Sequence, residues 1–203
     1  LGPRRRSGAL VMANDAMSNT DTDVMPQFNM TGRTALITGA AGLLGSQHAA
    51  ALLEVGASVL LTDIDIEGLQ GTRDDLMEQF GGRIRTLSMD VTKIESIREV
   101  ADGLSAEGVR VDVLINNATI DPKVGGNGLT EASRLETFPV QRWDAELAVG
   151  LTGAFLCSQV FGSRMAVSGG GVILNISSEL SIHAPDQRIY RRMGLADDNQ
   201  PVK

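Results

Sequence analysis

One cysteine stands in 203 residues. Cys157 can build neither an intramolecular disulfide nor a zinc site made of cysteines, and it lies in the apolar run 154–157, so a reducing compartment, the cytoplasm, is expected. Long apolar runs are missing as well. No stretch of about 18 apolar residues occurs, so no spanning helix is read and no membrane partner is expected. Arg4, Arg5 and Arg6 precede only a short apolar stretch, residues 9–13, before Asn14 and Asp15, which is too little for an export signal. Basic charge is in deficit: 18 Lys and Arg against 25 Asp and Glu give a net charge of −7, which removes the support for nucleic acid as a partner. The two histidines, His48 and His183, stand alone, and no ligand-spaced cluster is visible, so no metal is expected. Glu131, Glu136 and Glu146 are spaced too loosely to form a catalytic carboxylate pair.

What is present is ordinary globular material, 42% hydrophobic and 21% charged, at a length that suits one domain of roughly 150 residues with a tail. Residues 1–31 show no period and read as a disordered lead-in, and residues 32–203 as the domain. Apolar runs then alternate with amphipathic stretches. Strands are expected at 34–37, 58–62, 84–89, 111–115 and 171–176, and helices at 43–54, 66–80, 94–103 and 143–165. The first helix is expected to face inward through Leu44, Ala49, Ala50 and Leu53, and the last through Leu147, Leu151, Phe155 and Val160. Strands that are apolar on both sides, alternating with helices, predict an α/β fold: a single-domain, Rossmann-like, doubly wound parallel sheet.

The turn 38–45 joins the first strand to the first helix. There Gly39, Gly42 and Gly45 leave room for a phosphate to reach free N–H groups at the positive end of the helix dipole, although a tight strand-to-helix turn alone would also use glycines. Asp63 ends the second strand 24 residues after Gly39, where a carboxylate can accept hydrogen bonds from a ribose 2′-hydroxyl and repel a 2′-phosphate. NAD is therefore preferred over NADP. A capping acid is the plainer reading of Asp63, and Asp65 competes for that role.

Together the turn Thr38 to Gly45, Asp63, Asp90–Val91, Asn116–Asn117–Ala118 and Ile176–Ser177–Ser178 resemble the ordered landmarks of the short-chain dehydrogenase/reductase family, over residues 34–178. The resemblance implies an enzyme that moves a hydride between NAD and a small alcohol or ketone, usually as a homo-oligomer at full length. It assigns Gly39, Gly42, Leu43, Leu44, Gly45, Asp63, Asp90, Val91, Asn117 and Ala118 to the cofactor, with Asp90 and Val91 at the adenine and Asn117 and Ala118 toward the nicotinamide. Ser178 is implied as the catalytic serine that holds the substrate oxygen, with Ser177 as its neighbouring alternative. The glycine spacing departs from the commonest version and is similar to the extended branch, which includes nucleotide-sugar epimerases and dehydratases. The downstream landmarks resemble the short branch.

The family also needs a tyrosine with a lysine one helical turn later, because the ammonium and the nicotinamide stabilise a phenolate that is otherwise a weak base near neutral pH. Tyr190 is the only tyrosine, but Gly194 stands where that lysine belongs, and the chain has only Lys93, Lys123 and Lys203. Tyr190 therefore reads as a loop residue, and the chain as a C-terminally incomplete member whose tyrosine and lysine are expected beyond Lys203, along with the last strands. Residues 184–190 resemble a segment of family members that modify flagellin or nonulosonate sugars, which implies a sugar-like substrate. Gly150 replaces an asparagine usual in the family, and Gly150 and Gly153 each cost a helix about 1 kcal/mol relative to alanine. A non-catalytic dinucleotide-binding protein is the rival reading.

Overall fold

In a computed structural model, residues 26–120, 134–197 and 200 are described. Most of the expected lead-in lies outside them. Residues Pro26–Phe28 form a short 3₁₀ turn, and the Met30 N–H donates to Val55 O at 2.7 Å.

Five strands form one parallel sheet: β1 (Thr34–Thr38), β2 (Ser58–Asp63), β3 (Ile84–Ser88), β4 (Val113–Asn116) and β5 (Val172–Asn175), in the order β3-β2-β1-β4-β5. Their connections carry α1 (Leu43–Glu54), α2 (Ile66–Phe80) and α3 (Ile94–Ala106). Between β4 and β5 one continuous helix runs as α4 (Val140–Leu147), a π-turn (Ala148–Gly153) and α5 (Ala154–Val167). Successive strand residues point to opposite faces, and β1 shows the consequence. Leu36 packs with Leu60, Leu114, Ile97 and Phe161 under α3 and α5, whereas Ile37 packs with Leu61, Ala49, Leu53 and Leu69 under α1 and α2. Two apolar layers therefore share one sheet. Cys157 is buried in the first of them, where loss of solvation pushes its thiol up to about 12, so it behaves as a small hydrophobe.

The last helix corrects the expected inward face except at Val160, which packs against the first apolar layer. Leu151 is 67% exposed, Phe155 is 61% exposed and Leu147 is also exposed, while Gly153, Cys157, Phe161 and Met165 face the sheet. The helix is apolar on both sides, so periodicity alone did not distinguish them; the small residues Gly153 and Cys157 allow the closer approach. Leu44, expected in the core, is 55% exposed, because Gly45 takes the buried position beside the turn. By length and composition Val140–Val167 could cross a membrane, but its inner residues belong to the core of the sheet. Strand β5 lies at an edge of the sheet and is exposed along its whole length.

Phe161→Ala removes a side chain that is buried between α5 and the sheet and is expected to cost about 3–5 kcal/mol. Val167→Ala, at the exposed helix end, is expected to stay within about 0.5 kcal/mol. Urea denaturation of the two variants checks the placement, and equal losses would contradict it.

Candidate functional site: a cleft at the strand ends

The loops that leave β1 and β4 part where the strand order reverses, and a crevice at the carboxyl ends of the strands is the result. Here it is a cleft of about 570 Å³. Gly39 lines it with φ +65°, and a Cβ at that position would stand 2.7 Å from Ala118 Cα. Glycine is therefore required both by conformation and by contact. A clasp holds the two loops together: the N–H groups of Asn117 and Ala118 each donate to Thr38 Oγ1 at 3.0 Å. Asn117 Nδ2 in turn donates to Thr38 O at 3.0 Å and Gly39 O at 3.1 Å. The amide nitrogen of Asn117 is thus spent on the clasp while the residue still lines the cleft.

The first helix meets the turn equally closely. A Cβ on Gly45 would fall 2.6 Å from both Ala40 Cα and Gly39 O, so Gly45 lies buried beneath the cleft and does not line it. Gly42 occupies the N-cap without a side-chain cap, and the first-turn N–H groups lack acceptors within the helix. With the helix dipole behind them, these N–H groups suit an anion. Leu43 and Leu44 present apolar side chains to the same space.

Each acid has a distinct part. Asp63 lines the cleft and accepts hydrogen bonds from the N–H of Ala41 on Oδ2 and of Asp65 on Oδ1, both at 3.1 Å. Asp65 is the capping acid, since its Oδ1 accepts from Gly68 N–H at the start of α2. Asp90 accepts from the Thr92 hydroxyl at 2.6 Å and the Thr92 N–H at 3.0 Å, and pairs with Lys93 Nζ at 2.9 Å. The Thr92 hydroxyl, with help from Lys93, holds its carboxyl below the usual carboxylate value against the opposing effect of burial. Val91 follows on the same wall, nearly buried. Ile64, Met89, Thr119, Ile120 and Val149 line the cleft too and were missed; Ile64, Met89 and Thr119 each adjoin a residue marked in the sequence, whereas Ile120 and Val149 do not.

The expected catalytic residues are not gathered here. Ser178 follows β5 at the exposed start of a 3₁₀ turn, Glu179–Ser181, where its Oγ accepts from Leu180 N–H at 3.2 Å. It does not line the cleft. Tyr190 closes another 3₁₀ turn, Gln187–Tyr190; the backbone is extended at Arg191 and turns at Gly194 with φ +84°, so no helix carries Tyr190 onward. Lys93, the one lysine among the described residues, is held by Asp90. Gly150 lies in the π-turn with open space around it. A smaller cavity of about 220 Å³ lies between α3 and α5 beside the start of β4. The guanidinium groups that line it are already bound to Asp102, Asp112 and nearby carbonyls.

Comparison with known proteins agrees with this geometry. A family model described as short chain dehydrogenase matches residues 33–190. The chain belongs to the short-chain dehydrogenase family. Over 162 residues it is 34% identical to a D-threitol dehydrogenase of Mycolicibacterium smegmatis, covering 80% of this chain and 58% of that protein. An NAD-dependent glycerol dehydrogenase of Listeria innocua is 32% identical over 162 residues, again 80% of this chain and 59% of the relative. Among solved structures, a gluconate 5-dehydrogenase from Burkholderia cenocepacia in complex with NADP and tartrate is 30% identical, with a TM-score of 0.66, over 78% of this chain and 58% of that one. An NAD+-bound xylitol dehydrogenase is 26% identical, with a TM-score of 0.68, over 77% and 56%. The chain thus spans less than two thirds of the length of each of these short-chain dehydrogenases.

Thr92→Val removes the hydroxyl that does most to depress Asp90, so its carboxyl is expected to rise toward the ordinary value of about 3.9. A depressed carboxyl contributes stability that is complete above that ordinary value and is lost as pH falls through the folded one. The wild type is therefore expected to lose stability more steeply than the variant in that acid range. An NMR titration of the Asp90 carboxyl carbon that is unmoved by the substitution would refute the assignment.

Proposed function

We propose that this chain forms the cofactor-binding part of a cytoplasmic, NAD-dependent oxidoreductase that interconverts a secondary alcohol and a ketone on a small, polyhydroxy, sugar-like substrate. The observation that carries the reading is one cleft that holds both the N-terminus of α1, begun by Gly42 without a side-chain cap, and the carboxylate of Asp63. The close packing at Gly39 and Gly45, where any Cβ would strike backbone, leaves the turn open on its cleft side for a pyrophosphate. Gly42 and the N–H groups of Leu43 and Leu44 would hold that group, with Gly45 packed beneath them. Asp63 keeps acceptor capacity for the two ribose hydroxyls and carries the charge that disfavours a 2′-phosphate. Asp90 and Val91 would flank the adenine, while Asn117 and Ala118 would bound the nicotinamide side. When bound, the nicotinamide supplies the hydride chemistry. Ser178 would donate a hydrogen bond from its hydroxyl to the substrate oxygen.

Relatives named for threitol, glycerol, gluconate and xylitol support a polyol or sugar-acid substrate. The solved neighbours include one with NADP and one with NAD+, so the choice of NAD rests on Asp63. The exposed apolar face that includes Leu151 and Phe155 supports a homo-oligomer of the whole protein. A second reading, a non-catalytic dinucleotide-binding protein, is favoured by the commitment of Lys93 to Asp90 and by the short turn under Tyr190. Alcohol-dependent formation of NADH by the intact protein separates the two.

Titration of the intact protein with NADH and NADPH, followed by nicotinamide fluorescence, is expected to favour NADH, and Asp63→Ala to weaken NADH about tenfold while narrowing the preference. Equal affinities in the wild type would remove the argument from Asp63. Ser178→Ala is expected to lower kcat about 10²-fold with little change in NADH affinity; full turnover in that variant would exclude Ser178 as the donor.

A further inference from the structure

The helix between β4 and β5 changes pitch beside the cleft. Its π-turn places Val149 in the cleft wall and, four residues later, buries Gly153 against the opposite wall. A Cβ on Gly153 would lie 2.8 Å from Val91 Cγ2, 3.0 Å from Val91 Cβ and 3.3 Å from Val91 O. Nothing in that group is the free end of a flexible side chain, and Val91 is itself packed in the core. The helix cannot readily retreat, because Asn116 Nδ2 at the end of β4 donates to Ser158 Oγ at 3.0 Å and Ala154 O at 3.4 Å. Helix propensity alone would favour alanine at position 153. The contact with Val91 opposes that preference.

We infer that Gly153 is a positioning residue for the dinucleotide: by letting the helix touch Val91, it sets the separation between the wall of Asp90 and Val91 and the wall of Val149. The inference rests on the dinucleotide reading of the cleft and adds to it a residue that does not line the cleft. Val91 lies three residues past the end of β3, whose last residue, Ser88, pairs with Asp63 at the end of β2, so the adenosine half of the ligand feels the change first. A methyl group at position 153 must displace Val91 or part the walls, and both loosen that half.

The test is a set of equilibrium titrations of the intact protein with NADH and with AMP, well below the melting transition of every variant. Gly153→Ala is expected to raise both Kd values roughly tenfold, whereas Gly103→Ala, at an open position on α3, is expected to leave them unchanged. Adding Val91→Ala to Gly153→Ala makes room for the methyl and is expected to restore AMP affinity to that of Val91→Ala alone. A merely structural glycine would change the melting temperature without this pattern in Kd. Unchanged Kd values in Gly153→Ala, or no rescue in the double variant, would overturn the inference while leaving the dinucleotide site intact. A wild type that binds neither NADH nor AMP overturns the reading beneath it as well. If Gly153→Ala does not fold, Val91→Ile crowds the same contact from the other side, and unchanged affinity there overturns the inference.

Discussion

The site depends on how closely the chain leaving β1 passes the chain leaving β4. Gly39 and Ala118 approach until no side chain fits between them, and Thr38 and Asn117 exchange the hydrogen bonds that hold the two loops in place. Each such bond contributes about 1 kcal/mol net, but an unmade one at these buried carbonyls costs more, so the clasp is strongly specified. Once β1 and β4 are neighbours and their loops are locked, the crevice follows from topology. The helix N-terminus at Gly42 then opens into it.

Two carboxylates beside a site suited to a pyrophosphate need an electrostatic account. Asp90 is compensated locally: the Thr92 hydroxyl and N–H and the Lys93 ammonium all meet its oxygens. Asp63 has no cation in contact among the described residues; backbone N–H groups of Ala41 and Asp65 each take one oxygen and fix its plane. Its carboxylate therefore lines the cleft at the end of β2, held by backbone rather than by a counter-ion.

The fold was legible where a residue's neighbours in sequence determine its environment. The helices at 43–54 and 66–80 have the boundaries expected of them, because Gly42 and Asp65 begin them and Val55–Gly56 and Gly81 end them. Most residues that line the cleft were legible for a similar reason, since strand ends are marked by a change from apolar to polar or glycine. The inward face of the last helix was not, because both its faces are apolar and the choice was made by Gly153 and Cys157 fitting against the sheet. Val149 escaped notice on the same helix, and Gly153 read as a helix defect until its neighbour Val91, some sixty positions away, could be seen.

The edge of the sheet obeys a different logic from the cleft. Two of the cleft's loops, after β1 and β4, are clasped to one another, whereas Ser178 leaves an edge strand whose four residues are all exposed. Its oxygen nevertheless already accepts one bond, from Leu180 N–H. A hydroxyl that accepts at its oxygen still has its single proton to give, and the accepted bond strengthens it as a donor. Ser178 is therefore arranged locally as a hydrogen-bond donor, on an edge strand that no further strand among the described residues covers.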